Sequence, residues 1–344
     1  TNNKIMNQIG ILIPILSTLS AFILISCIRF LDVFEREPFK LIFINFLFGI
    51  LSYLISAISV SLIFGIIDIN KFVLSSSNRY VFLIVLVTAL IMLISQLIFS
   101  SLSLLFFRKD FDTMPDYIIY FSTIGIGFNF SEVFFYNFLN KTNNQLFLQI
   151  SDNLYFSSFF NGTTLPFLMG AIGAGYYLSL ISKKENFNSL SKVSILTVGL
   201  AIFTQIIFYS MNFFIMISSP HTPSDFLNVI KEIKIFAQSF SIMLLILSVG
   251  FAVIFDSYII SNFLEKVVSS SQNKSSKTLN ASNFINPFLY LSLSKLKYFS
   301  ALKGKQEISE KNLKTIAKLA LKNFNDPKNS FLYISEANEI LSNS

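Results

Sequence analysis

Of the 344 residues only 13% are charged, 53% are hydrophobic, and the mean hydropathy is +0.63. A soluble domain carries about a quarter charged residues, so this apolar surplus excludes a single globular core and points to a polytopic membrane protein. The formal charge of +7 then reports a cytoplasmic face and anionic lipid as partner rather than nucleic acid, and the lone Cys27 excludes an intrachain disulfide framework or a thiolate metal cluster.

About seven apolar stretches approach or exceed the length a bilayer crossing requires. They are residues 9–28, 41–67, 80–107, 117–138, 157–182, 193–217 and 233–255. The expected fold is an all-α polytopic transmembrane bundle over 1–263, followed by a basic cytoplasmic linker and helical tail over 264–344. In the first stretch "LISC", ending at Cys27, fits a loose lipobox. Processing there would strand Arg29, Arg36 and Lys40 outside, so Cys27 is read as a small apolar residue of the span.

Lysine and arginine in short loops set orientation. With the N-terminus outside, the inside loops hold 8 basic residues: Arg29, Arg36, Lys40, Arg108, Lys109, Lys183, Lys184 and Lys192. The outside segments hold 6: Lys4, Lys71, Arg79, Lys141, Lys231 and Lys234. Beyond Phe263 come 12 lysines beside 6 acids, which favours a cytoplasmic C-terminus. The expected location is the cell (cytoplasmic) membrane.

Two segments carry the polar residues of interest. "RFLDVFEREPFK", 29–40, alternates Asp32, Glu35 and Glu37 with three basic residues and places Pro38 at the first turn of the next helix. By charge pattern alone it is a self-compensated juxtamembrane turn. "RKDFDTMPDYIIYFSTIGIGFNFSEVFFY", 108–136, leads from an acidic loop into a helix thinned by Gly125 and Gly127, which let a neighbour approach closely. Glu132 lies in that helix four residues before Tyr136. A carboxylate at membrane depth is a functional candidate by default.

The tail begins with a polar linker over 269–283. Further on, Ile308, Leu313, Ile316, Leu319, Ala320 and Phe324 recur at helical spacing with lysines opposite. Two readings stand: a small cytoplasmic helical appendage, and a basic amphipathic helix lying on anionic lipid or a partner. His221, between Pro220 and Pro223, reads as an exposed loop residue.

Together, Asp32, Glu35-Arg36-Glu37-Pro38 and Gly49, then Phe111-Asp112, Asp116, Tyr120, Gly127-Phe128, Glu132 and Tyr136, resemble the PrsW family of intramembrane metalloproteases. That family's core runs from an intramembrane Glu-Glu-x-x-Lys, through an acidic loop, to a Gly-Phe-x-x-x-Glu-Asn-x-x-Tyr helix. The glycine-rich 170–177 and "FYSMN", 208–212, are similar to later family segments. The resemblance spans 29–212 and implies zinc and intramembrane endopeptidase activity.

The departures are specific. Ser95 and Gln96 stand in the window of the glutamate pair, and no acid lies between Asp68 and Asp110. The first family histidine falls within Asn161–Thr164 and the second at Phe208, while Val133 replaces the asparagine after the glutamate. A zinc hydrolase needs about three protein ligands, commonly histidine or carboxylate, plus a water. With these missing, no metal ligand is assigned and no zinc is expected.

What remains at plausible membrane depth is a polar set: Ser95, Gln96, Asn129, Glu132, Asn161, Thr163, Thr164, Gln205 and Asn212. Glu132 is the vestigial catalytic candidate, expected to hydrogen-bond Gln96 or Gln205 as helix glue. In that role Glu132→Gln should be nearly neutral for stability and Glu132→Leu damaging. The resulting expectation is a pseudoprotease that binds or scaffolds a transmembrane-helix client. One alternative is an active, divergent intramembrane protease cleaving a membrane-anchored regulator such as an anti-sigma factor. Another is a small-solute transporter, against which stands the lack of an inverted repeat.

Overall fold

The computed structural model describes residues 19, 23–26, 38–66, 78–108, 110, 111, 113–139, 163–182, 188–217, 224–270 and 310–342. Among these every regular element is helical. In chain order they are α1 (Phe39–Ile66), α2 (Asn78–Phe106), α3 (Met114–Leu139), α4 (Thr163–Ser182), α5 (Asn188–Ile217), α6 (Ser224–Ser270), α7 (Glu310–Asn325) and α8 (Ser330–Ser342). A single 3-10 turn, Pro327–Asn329, joins α7 to α8.

Five of these helices are long and apolar enough to cross a membrane: Phe39–Ile63, Leu83–Phe106, Thr163–Ser182, Leu190–Asn212 and Asn228–Ala252. Each lies within one of the expected stretches or overlaps it. Of 9–28, only residues 19 and 23–26 are described, and they are helical. The start of 157–182 lies outside the described residues.

The distribution of residue types around α1 is the reverse of a soluble helix. Phe43, Leu47, Leu51, Ile55, Ile58 and Leu62 form an exposed stripe at helical spacing, while Asn45, Ser52 and Ser56 are buried. Large apolar groups gain nothing by leaving lipid for protein, so small and polar side chains take the interior face and hold the helices together. Across α1 and α2, the Ser103 hydroxyl donates to Asn45 Oδ1. One helical stretch away, the Ser52 and Ser95 hydroxyls lie 3.1 Å apart.

α3 is the central helix. Residues 113–129 are buried without interruption, and α3 packs extensively on α1. Glycines make this possible. A Cβ on Gly49 would collide with the Ile124 carbonyl, and one on Gly127 with the Phe46 carbonyl. On the opposite side, a Cβ on Gly125 would lie 2.9 Å from the Pro166 backbone of α4. At the start of α3 the Thr113 N–H donates to Asp116 Oδ2 at 2.6 Å, one half of a capping box. Phe111 folds back over Tyr117 and Tyr120, with ring centroids 4.9 and 4.7 Å away.

α6 is 47 residues long, or about 70 Å at 1.5 Å per residue. Its apolar stretch ends at Ala252, and the helix continues unbroken through position 263, where the sequence places the start of the tail. The projecting part buries Ile260, Phe263, Leu264 and Val267 against Ile316, Ala317, Leu319 and Ala320 of α7 and Ala337 of α8. The apolar face of α7 is therefore covered by protein, which favours the helical-appendage reading over a helix lying on lipid by that face. Ser269 and Ser270, expected in the linker, are helical; the remainder, 271–283, and Ile308 lie outside the described residues.

Candidate functional site

Beyond Gly127 the same helix changes character. Phe128 is enclosed between two phenols, meeting Tyr53 of α1 at 5.4 Å and Tyr209 of α5 at 5.9 Å, both edge-on. Glu132 lies one turn further along the same helical face and is half-buried.

Beside it, α2 and α5 are bridged by a chain of hydrogen bonds. The Gln205 amide donates to Gln96 Oε1 at 2.6 Å, and the Gln96 amide donates to the Tyr209 hydroxyl at 2.6 Å. Gln205 and Tyr209 are four residues apart on α5, so they share a face. Gln205 Oε1 is buried and accepts no hydrogen bond.

Lys234 completes the site from α6. It lies inside the apolar stretch Asn228–Ala252, half-buried, with Nζ 5.9 Å from the centre of the Phe208 ring. It is the cation that acts on the Glu132 carboxylate. Glu132 in turn acts on the phenols of Tyr53 and Tyr209. Five helices thus deliver one carboxylate, one ammonium, two carboxamides and two phenols to one region.

The expected polar set is only partly assembled. Gln96 and Gln205 meet, but the Gln205 amide N–H is given to Gln96 and the Gln96 amide N–H to Tyr209. The hydrogen bonds expected from Glu132 to these amides are not made among the described residues. Ser95 turns toward α1, with its hydroxyl on Ser52 and on the Met92 carbonyl at 2.9 Å. Asn129 and Thr164 are buried, and Thr163 and Asn212 half-buried, without joining the glutamine chain. Asn161, Asp32, Glu35, Glu37 and His221 lie outside the described residues. Pro38 is described at the threshold of α1, where its carbonyl accepts the Leu41 and Ile42 N–H groups at 3.0 and 3.3 Å.

Tyr53, Tyr209 and Lys234 were not legible as site residues. The tyrosines are 2 of 13 in a chain rich in aromatic core residues. The i, i+4 spacing of Gln205 and Tyr209 was the available signal for one of them. Lys234 is the second residue of the 233–255 stretch and reads there as an edge charge on the outside, whereas α6 begins at Ser224 and its apolar part at Asn228.

A bundle of apolar helices around an enclosed, glycine-packed helix, with ionisable groups meeting inside it, defines a multi-pass membrane protein with an intramembrane polar site. The PrsW family intramembrane metalloprotease profile matches residues 37–208, half of the chain. The chain belongs to the PrsW family. No curated protein and no solved structure matches it.

Membership implies zinc, and the donors can be tested against it. Among the described residues no three of His, Cys, Asp and Glu gather. Around Glu132 the other donors are carboxamides and phenols, which suit a borderline-soft ion poorly compared with imidazole or thiolate. A lysine cation acting on the same carboxylate competes for its charge. The described donor set does not fit zinc.

Proposed function

We propose that this chain is a non-proteolytic member of its family, a pseudoprotease of the cytoplasmic membrane that binds a transmembrane-helix client without cutting it. The observation that carries the reading is the Gln96–Gln205–Tyr209 hydrogen-bond chain, which sets neutral amides beside Glu132 and Lys234. A carboxylate that serves as water-activating base needs a metal-bound water within reach. Here its electrostatic partner is a tethered ammonium, and the Gln96 position holds a neutral amide committed to Tyr209. Glu132 and Lys234 are half-buried rather than sealed, so a polar group on a neighbouring helix can reach them. Such contacts stabilise helix pairs in lipid by roughly 0.6–2 kcal/mol each. The N-terminus is assigned outside and the C-terminus to the cytoplasm, on the lysine and arginine distribution.

Two measurements test this. Metal analysis of the purified protein is expected to give far less than stoichiometric zinc, unchanged in Glu132→Gln. Stoichiometric zinc that disappears in that variant overturns the reading. Co-reconstitution with single-span peptides should give association without cleavage, stronger for a peptide with a polar residue at its centre. New peptide termini that appear with the wild type and not with Glu132→Gln would establish a protease instead.

A further inference from the structure

We propose that the turn between α7 and α8 is a lipid-docking tip, with Phe331 and Leu332 entering the interface of the bilayer that holds the bundle. Phe331 is 86% exposed and Leu332 60%. Phe331 is the most exposed large apolar side chain among the described residues. The others of comparable exposure, such as Leu105, Ile195 and Phe236, lie on helices that cross the membrane, where lipid covers them. Four other apolar residues of α8 turn inward: Tyr333, Ile334, Ala337 and Ile340 pack on α6 and α7. Phe331 and Leu332 therefore have no role in holding the tail together.

The fold sets the height of this pair. α7 runs back along the projecting part of α6 toward the bundle, and Phe324 near its end meets Phe255 edge-on at 5.8 Å. Phe255 in turn packs on Tyr177 of α4 at 6.2 Å. Phe255 lies three residues beyond Ala252, where the apolar stretch ends, or about 4.5 Å along the helix. The polar headgroup layer is roughly 5–7 Å thick on each side, so Phe324 is held at headgroup depth.

The chain then reverses at once in a tied turn. The Asp326 N–H donates to the Lys322 carbonyl at 2.8 Å, and Asn329 donates from its side chain to Asp326 Oδ2 at 2.7 Å. α8 leaves in the other direction, with the Asn338 amide on the Ser270 hydroxyl at 3.0 Å. The N-terminal end of α8 is thus its membrane-proximal end.

Charge agrees with lipid as the occupant. Lys322 and Lys328 are exposed around the turn, and the only acid between 322 and 332 is Asp326, which is engaged by Asn329. Apolar side chains flanked by lysines suit an interface carrying anionic headgroups.

The chain contains no tryptophan, so a single introduced indole reports its own surroundings. The full chain would carry Phe331→Trp, Leu332→Trp or, at the far end of α8, Glu339→Trp. Each would be reconstituted in phosphatidylcholine–phosphatidylglycerol vesicles with and without brominated acyl chains. For a side chain seated at the acyl boundary, Phe331→Trp should emit to the blue of Glu339→Trp and lose at least about half its emission to bromine. Glu339→Trp should keep its emission. Water-like, unquenched emission from both Phe331→Trp and Leu332→Trp overturns the proposal. Blue-shifted emission that bromine leaves untouched also overturns it, because the cover is then protein, either a second copy or a partner.

Discussion

The two ends of α3 follow different rules. From Thr113 to Gly127 the helix is sealed, capped by Asp116 and pressed backbone to backbone against α1 and α4. Around Glu132 the same helix is half-open, and its neighbours are ionisable groups and amides from other helices. The first end is held by shape, in which one methyl group is too many. The second is held by polar partnership, in which the identity of each atom matters and the volume less. The motif Gly127-Phe128…Glu132 straddles this border, so its glycine and aromatic can persist for packing when the chemistry around its glutamate changes.

The sharpest way to break the first end is Gly127→Val. Overpacking a close-packed core typically costs 1–3 kcal/mol, and here the obstruction is the Phe46 carbonyl, part of a helix that cannot turn aside. The expected loss is about 3 kcal/mol or more, read as a collapse of the thermal transition in detergent. A variant that unfolds like the wild type would mean that α1 and α3 do not cross here.

At the second end, Gln96→Leu removes the centre of the hydrogen-bond chain. Gln205 then loses its acceptor, and Tyr209 the amide donor on its hydroxyl. Leaving buried polar groups unmade costs about 1–3 kcal/mol, and interhelical bonds in lipid fall at the lower end, so a loss of roughly 1–2 kcal/mol is expected. Gln96→Glu, which brings a second carboxyl group beside Glu132, should be less stable than the wild type at neutral pH. Equal stability of all three proteins would remove this chain from the account.

Lys234 changes what is expected of Glu132. As helix glue alone, Glu132→Gln would be nearly neutral. With an ammonium acting on it from α6, neutralising the carboxylate leaves Lys234 without its counter-charge. Glu132→Gln and Lys234→Met should each destabilise, and the double variant should recover part of the loss. Because both side chains are half-buried, a coupling of about 0.5–1 kcal/mol is expected, near the bottom of the range for contacting residues. Strictly additive losses in a double-mutant cycle would separate the two residues.

The membrane class, the helical fold and the family were legible because they rest on whole stretches. Long apolar runs fix α1, α2 and α4 to α6, and Gly127-Phe128, Glu132 and Tyr136 keep their spacing whatever surrounds them. The site was legible only where polarity stood out against an apolar background. Gln96 and Gln205 do so, and they meet. Tyr53 and Tyr209 do not, because a tyrosine among so many phenylalanines looks like packing; only the hydrogen bond on the Tyr209 hydroxyl and the Tyr53 ring on Phe128 mark them. Lys234 was hidden by geometry. A helix of 47 residues begins well before its apolar run becomes obvious, so a charge well inside the span reads as one at its outer edge.

Glycine content by itself does not mark the sealed end, and Gly250 is the control. It lies in α6, inside the apolar stretch ending at Ala252, and a Cβ built there meets nothing within 4 Å. Alanine is favoured over glycine in a helix interior by up to about 1 kcal/mol, so Gly250→Ala should leave the protein unchanged or raise its thermal midpoint slightly. If instead it destabilises by as much as Gly127→Val, close packing at α3 is not what distinguishes the two positions. The difference would then have to come from glycine flexibility in α6, which a helix of this length would need only if it bends.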